Sequence, residues 1–284
     1  MGMGVVASLL RAGFSTHARD IRAHAQQEAS ARGAIGHPDA AALARACDIA
    51  IVLVVDAAQV DDVLFGAGGA AIAFQRRTIV VLSSTVAPDY TSALAARLAA
   101  HGVMLVDAPV SGGPKRASEG TMTMMVAGDA ESLARCKQVF SAVAGRVFRV
   151  GNTPGDAAKF KIVNNLLAAV NLAAGAEALA LAVRAGLDPK QVMEVVNASS
   201  GGSWIFADRM PRVLAGDFAP RAAAKILAKD VTIAAEFAAR VGADATFANA
   251  ARAVFPGMVE PATKMWTTRP STNTWLRSWV SKPW

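Results

Sequence analysis

Cysteine is almost absent from the 284 residues: Cys47 and Cys136 are the only two, far apart and without metal-ligand spacing. That excludes a disulfide framework and a thiolate metal centre, so free thiols in a reducing cytoplasm and no bound metal are expected. Aromatic residues are also scarce, at 6%, and four of the five tryptophans (Trp266, Trp275, Trp279 and Trp284) fall at the very end. The core must therefore be aliphatic, as a composition 53% hydrophobic and 18% charged allows. Long uninterrupted apolar runs are missing. The stretches at 48–55 and 78–82 are too short to cross a bilayer, and 165–183 is broken by Asn171 and Glu177, so a soluble chain without membrane partners is expected. Met1 to Phe14 is apolar, but Arg11 comes late and no small-residue cleavage site follows, which argues against a secretory signal.

Acidic residues stop after Glu260, and the net charge is +7. Lys264, Arg269, Arg277 and Lys282 lie in that acid-free tail and supply more than half of the excess. The remaining charges of both signs are intermixed, which is the pattern of a solvated surface and excludes a dedicated nucleic-acid site. A phosphorylated cofactor or a carboxylate is the anion such a chain would attract.

Short apolar runs alternate with helical spacing up to about residue 150. Cys47–Val55, Thr78–Leu82 and Val103–Val106 read as buried parallel strands; 57–64, 88–100 and 130–143 read as helices. This is the βαβ alternation of a doubly wound, Rossmann-like α/β sheet. The first helix, Gly4 to Ala12, begins almost at residue 1, where such a sheet needs a strand in front, so the sheet is expected to lack its first strand. After Gly151 the strand signal ends. A helix over 156–185, another opened by Asp188-Pro189 and a third over 220–241 predict an all-α C-terminal domain. The expected division is 1–151, 152–260 and an irregular tail, 261–284, to which no function is assigned.

Chemistry-bearing residues cluster where doubly wound sheets hold ligands, at the carboxyl ends of strands. Gly2 and Gly4 open the first helix, and Asp20 ends the strand that follows it. This is the second half of a dinucleotide fingerprint, in which the helix N-terminus takes pyrophosphate and the acid takes the ribose hydroxyls. An acid there favours NAD over NADP, although Arg19 and Arg22 beside it suit a 2′-phosphate. Val54 and Val55 end the first long strand and are expected cofactor contacts. Ser84-Thr85 follows the next strand, where it either faces the ligand or caps the helix starting near Pro88. Ser111, Gly112 and Gly113 follow the third, either as donors to a carboxylate or as a plain glycine-rich connector.

Lys161 and Asn165 share one face of the long helix at i and i+4, with Ile162, Val163, Leu166 and Leu167 expected to draw that helix into the core. Burying a lysine disfavours its charged form and makes it a usable proton donor and acceptor; the alternative is a lysine snorkelling to solvent. Lys159 points about 160° away around the helix. Lys229-Asp230 reads either as a ligand contact or as an exposed charge pair, with the exposed pair as the default.

In this order the elements resemble the β-hydroxyacid dehydrogenase family, typified by 3-hydroxyisobutyrate dehydrogenase. The similarity runs from Met1 to about Val259 through Met1-Gly2, Ser84-Thr85, the run DAPVSGG over 107–113, Gly120-Thr121, KIVNN over 161–165 and Lys229-Asp230. The resemblance implies an NAD-dependent enzyme, with NADP as an alternative cofactor. It implies Lys161 as the catalytic residue and Ser111, Gly112, Gly113 and Asn165 as substrate ligands. Gly2, Asp20, Val54, Val55, Thr85 and Lys229 would lie on the cofactor side, and the helical domains would pair into a homodimer or homotetramer. The stretch from Ser203 to Val231 is most similar to the L-threonate dehydrogenase branch, which implies oxidation of a small hydroxy acid at the hydroxyl next to its carboxylate. 3-Hydroxyisobutyrate and tartronate semialdehyde are the alternative substrates, and an inactive relative acting as a binding module is the alternative role.

Overall fold

The computed structural model describes residues 1–217 and 224–255. The chain divides into two compact units, Met1–Lys161 and Ile162–Trp284. The Trp-rich tail, with its four cations, lies outside the described residues.

The first unit is built on parallel strands β3 (Ile49–Val52), β4 (Ile79–Leu82) and β5 (Met104–Asp107), paired in that order. All four residues of β4 are buried because both faces of the sheet are covered. Val80 and Leu82 pack on one side with Val60 and Leu64 of α4 (Ala57–Phe65) and Leu94 and Leu98 of α5 (Pro88–Ala99). Ile79 and Val81 face the other side, against Val5 of α1 (Gly2–Arg11), Ala117 of α6 (Gly113–Glu119) and Phe140 of α7 (Ala130–Val143). Alternation along one strand thus feeds two cores, the doubly wound arrangement expected from the sequence.

The sheet is mixed rather than wholly parallel. Strand β7 (Met122–Ala127) runs antiparallel to β5 and to the short β6 (Val110–Ser111), while β8 (Ala144–Gly151) pairs parallel with β7. At the other end, β1 (His17–Ala18) and β2 (Ile35–Gly36) form a separate two-stranded parallel sheet. Between them lies α2 (Ala23–Ala31), and α3 (Ala40–Ala44) follows, with Asp39 accepting from the Ala42 N–H as its N-cap. Among the described residues β1 pairs only with β2, and β3 only with β4.

Among the described residues the second unit is all-helical. It is built on α8 (Asp156–Arg184), whose first six residues belong to the first unit, with α9 (Pro189–Asn197), α10 (Trp204–Leu214), α11 (Ala224–Arg240) and α12 (Thr246–Val254). Asp188 caps α9 through the Lys190 N–H with Pro189 in its first turn, and Ser203 caps α10 through the Phe206 N–H. Leu179 packs with Phe206 and Met210, and Ala169 with Val231, Ala251 and Phe255. Only part of α8 is covered. Ile162 is buried, but Val163 and Leu167, expected in the core, are 62% and 60% exposed. By length and composition α8 could cross a membrane, and it is the one such helix among the described residues.

Candidate active site

Helix α1 starts at Gly2 with no side-chain cap on its first turn, and a Cβ at Gly2 would meet nothing within 4 Å. Gly4 is different: a Cβ there would lie 2.7 Å from the Ser118 nitrogen, so glycine is what lets α1 lie directly on α6. The open first turn suits a pyrophosphate.

Asp20 follows β1, and both of its carboxylate oxygens are engaged by one neighbour. Oδ1 accepts from the Arg22 backbone N–H and Nε at 2.9 and 3.0 Å, and Oδ2 accepts from Nη2 at 2.9 Å. The hydrogen bonds from Arg22 hold the Asp20 carboxyl below the usual range. The sequence reading gave these oxygens to ribose hydroxyls; in this structure the adjacent guanidinium occupies them.

The strand ends at β3 and β4 are tied together. The Ser84 hydroxyl accepts from the Val54 N–H at 2.8 Å, and Gln59 Oε1 accepts from the Val55 N–H at 3.0 Å. The N-cap position of helix α5 is held by Ala87, two residues after Thr85. Thr85, half-buried, continues the same loop.

Ser111 ends β6, and the chain then turns through Gly112 (φ 136°) and Gly113 (φ 72°) into α6. Positive φ at two successive residues is what the glycine pair supplies. A Cβ at Gly113 would meet nothing within 4 Å, leaving its backbone open to a ligand.

Lys161 lies on α8 and is 6% exposed, beside the buried residues Ala157, Ala158 and Ile162. Lys159 instead pairs at 3.0 Å with Asp156, its side chain 51% exposed. Upstream, the carboxylate of Asp107, the last residue of β5, is 1% exposed. Its Oδ2 accepts from the Gly155 and Ala158 N–H groups, both at 2.9 Å. Burial pushes this carboxyl up to about 6, against the opposing pull of those backbone donors.

In the second unit, Asp230 is 2% exposed and ties two of the expected ligands together. Its Oδ2 accepts from the Asn165 amide at 2.6 Å, and its Oδ1 pairs with the Lys229 ammonium at 2.6 Å. The default reading of Lys229-Asp230 as an exposed pair is thus corrected: the lysine side chain is 20% exposed and the carboxylate 3%. Asn164 donates to the Asn165 carbonyl oxygen at 3.0 Å, so that amide is oriented at both ends. Among the described residues no group of three or more His, Cys, Asp or Glu could hold a metal ion.

Residues 1–151 match the model of the NAD-binding domain of 6-phosphogluconate dehydrogenase, and residues 155–267 match that of the NAD-binding domain of NADP-dependent 3-hydroxyisobutyrate dehydrogenase. The chain belongs to the 3-hydroxyisobutyrate dehydrogenase-like family of NAD(P)-dependent hydroxyacid dehydrogenases. It is 46% identical over 231 residues to the L-threonate dehydrogenase of Cupriavidus necator, spanning 81% of this chain and 78% of that protein. An Escherichia coli L-threonate dehydrogenase is 43% identical over 239 residues, 84% and 79% of the two chains. The crystal structure of a 3-hydroxyisobutyrate dehydrogenase from Salmonella typhimurium superposes with a TM-score of 0.84 at 40% identity, covering 90% and 89%. Family membership makes the nicotinamide dinucleotide the cofactor, and the open turn at Gly2 together with the strand ends at Val54, Val55 and Thr85 fits it.

Of the expected site residues, Gly2, Asp20, Val54, Val55, Thr85, Ser111, Gly112, Gly113 and Lys161 fall in the first unit, and Asn165 and Lys229 in the second. Asp107 and Asp230 lie inside the motifs DAPVSGG and Lys229-Asp230, and neither was expected to have a task of its own. The signal was there: an acid closing an apolar strand, or lying among apolar helix residues, has to find a partner.

Proposed function

We propose that this protein oxidises a four-carbon aldonic acid, L-threonate or a close analogue, at the C2 hydroxyl, with Lys161 taking the hydroxyl proton at Nζ. The observation that carries this reading is Lys161 itself, a lysine 6% exposed in the early turns of a helix that also bears Asn165 one turn on. The relatives named L-threonate dehydrogenase, at 43–46% identity, support the substrate class. A bound nicotinamide would supply the hydride acceptor for C2. NAD is the expected partner over NADP because Asp20 stands at the ribose end. Ser111 and the Gly112 and Gly113 amides hold the substrate carboxylate and so fix which carbon is presented, while Asn165 holds a substrate hydroxyl. Gly2, Asp20, Val54, Val55, Thr85 and Lys229 serve the cofactor. In reduction the same lysine returns the proton.

Residues 1–151 act in this reading as the cofactor domain and 152–260 as the substrate and assembly domain, in the cytoplasm. Val163, Leu167 and Leu181 are 62%, 60% and 69% exposed and lie within about 40° of one another around α8, on the side away from Lys161. An apolar stripe of this kind supports a homodimer or homotetramer. Leu167→Glu should then shift the species seen by analytical ultracentrifugation toward monomer.

The deciding experiment follows NADH formation with NAD and a panel of hydroxy acids. L-Threonate should give the highest kcat/KM, above 3-hydroxyisobutyrate and above tartronate semialdehyde assayed in the reducing direction. A different preferred acid would overturn the substrate. Binding of NADH, seen by its fluorescence, without turnover of any member would leave a binding module instead.

A further inference from the structure

We propose that Asp107 is a positioning residue for the reaction: by capping the first turn of α8 it sets where Lys161 stands. The first N–H groups of a helix have no partner within it. At the start of α8 two such N–H groups, that of Gly155 immediately before the helix and that of Ala158 in its first turn, are satisfied by a side chain from another element, Oδ2 of Asp107 at 2.9 Å each. Asp156 does not do this work, since its own Oδ2 accepts from the Thr153 hydroxyl at 2.9 Å and its Oδ1 pairs with Lys159.

Lys161 lies three residues beyond Ala158, about 4.5 Å along the axis at 1.5 Å per residue. A helix that close to its start frays when its cap is lost, so the position of Lys161 depends on the cap. Gly155 adopts φ 105°, and a Cβ there would lie 2.9 Å from the Pro88 carbonyl oxygen, so the chain enters the helix through a conformation that needs an external hold. The same aspartate ends β5, four residues before Ser111. One carboxylate thus ties the end of β5, from which the chain runs on through β6 to the Ser111–Gly113 turn, to the helix that carries Lys161. Because both donors converge on a single oxygen, an asparagine carbonyl at that place accepts both bonds, and charge is not required.

This inference rests on Lys161 being the proton-transfer residue, and a double-mutant cycle separates the two claims. Asp107→Ala should lower kcat about 10- to 100-fold at saturating NAD and substrate while the Kd for NADH stays within about 3-fold, and Asp107→Asn should recover most of that loss. In a Lys161→Ala background, Asp107→Ala should cost less than about 3-fold further, because its effect passes through the lysine. Multiplicative losses in the double mutant, or a wild-type kcat in Asp107→Ala, would overturn the positioning role. An Asp107→Asn variant as impaired as Asp107→Ala would do so too. If Lys161→Ala alone turns over at the wild-type rate, the reading of Lys161 fails instead. Should Asp107→Ala not fold, Asp107→Ser carries the same comparison with Asp107→Asn, since its hydroxyl falls one bond short of the helix. Hydrogen exchange supplies an independent readout: the Gly155 and Ala158 amides should be protected in the wild type and in Asp107→Asn, and exposed in the serine variant.

Discussion

The Asn165 amide donates to Asp230 at 2.6 Å across 65 residues of sequence, and the other oxygen of that carboxylate pairs with the neighbouring Lys229. Two residues proposed to serve different ligands, substrate and cofactor, therefore share one buried acid. Asp230→Ala should weaken both functions together, with kcat/KM for the hydroxy acid and the affinity for NADH each falling about 10- to 100-fold. That range follows from about 1.5 to 3 kcal/mol for a hydrogen bond to a charged group, at 1.36 kcal/mol per tenfold. Steady-state kinetics and a fluorescence titration check it. Loss of only one of the two would uncouple Asn165 from Lys229.

Lys161 and Lys159 are an internal control provided by the helix. Lys161→Ala should reduce kcat by about 10²- to 10⁴-fold, the range of general acid-base catalysis, with NADH binding preserved. Lys159 is half exposed and holds Asp156, a surface ion pair worth about 1 kcal/mol or less, so Lys159→Ala should keep most of the activity. Equal losses in the two variants would remove Lys161 from the chemistry.

These two lysines also mark how far the sequence could be read. Strands β3, β4 and β5 were legible because each is a run of apolar residues bounded by helical spacing, as buried parallel strands are. Strand β7, Met122–Ala127, is methionine-rich and carries few β-branched residues, and β8 is exposed along five consecutive positions, so neither showed a strand signal. On α8 the apolar residues surround Lys161 in sequence, yet Ile162 is buried and Val163 exposed; composition does not say which face a neighbour covers. The partners of Asp107 lie 48 and 51 residues away and that of its counterpart Asp230 lies 65 away. Local spacing carries no trace of such contacts.

Cofactor choice turns on Asp20 and Arg22. As the pair stands, the carboxylate restrains the guanidinium through two hydrogen bonds, from Nε and Nη2, and accepts a third from the Arg22 backbone N–H. Asp20→Ala removes the acid that would meet ribose hydroxyls and releases Arg22, 76% exposed, toward a 2′-phosphate. The ratio of kcat/KM for NAD over NADP should exceed one in the wild type and fall at least 10-fold in the variant. A wild-type preference for NADP would reverse the assignment.

Asp107 makes a prediction in pH that is separate from activity. Its carboxyl is raised from the ordinary value of 3.8 to about 6 by burial, so between those values the folded state binds more protons than the unfolded one. Stability therefore falls as pH rises through that window: the contribution is fully present below about pH 4 and lost above about pH 6. Raising the carboxyl from 3.8 to about 6 corresponds to about 3 kcal/mol as an upper figure. Asp20, Asp129 and Asp156 are lowered instead and give the opposite slope, and Asp156 also acts directly on Asp107. The clean observable is thus the difference between wild type and Asp107→Asn, which removes this one titration and leaves the rest. Measured by denaturant unfolding, the asparagine variant should gain about 2 to 3 kcal/mol on the wild type between pH 4 and pH 7. A competing force works against this: the N-terminus of a 29-residue helix favours an anion, and two N–H donors already point at Oδ2. A gap that stays flat across the window would mean that those donors outweigh desolvation and that Asp107 is ionised throughout.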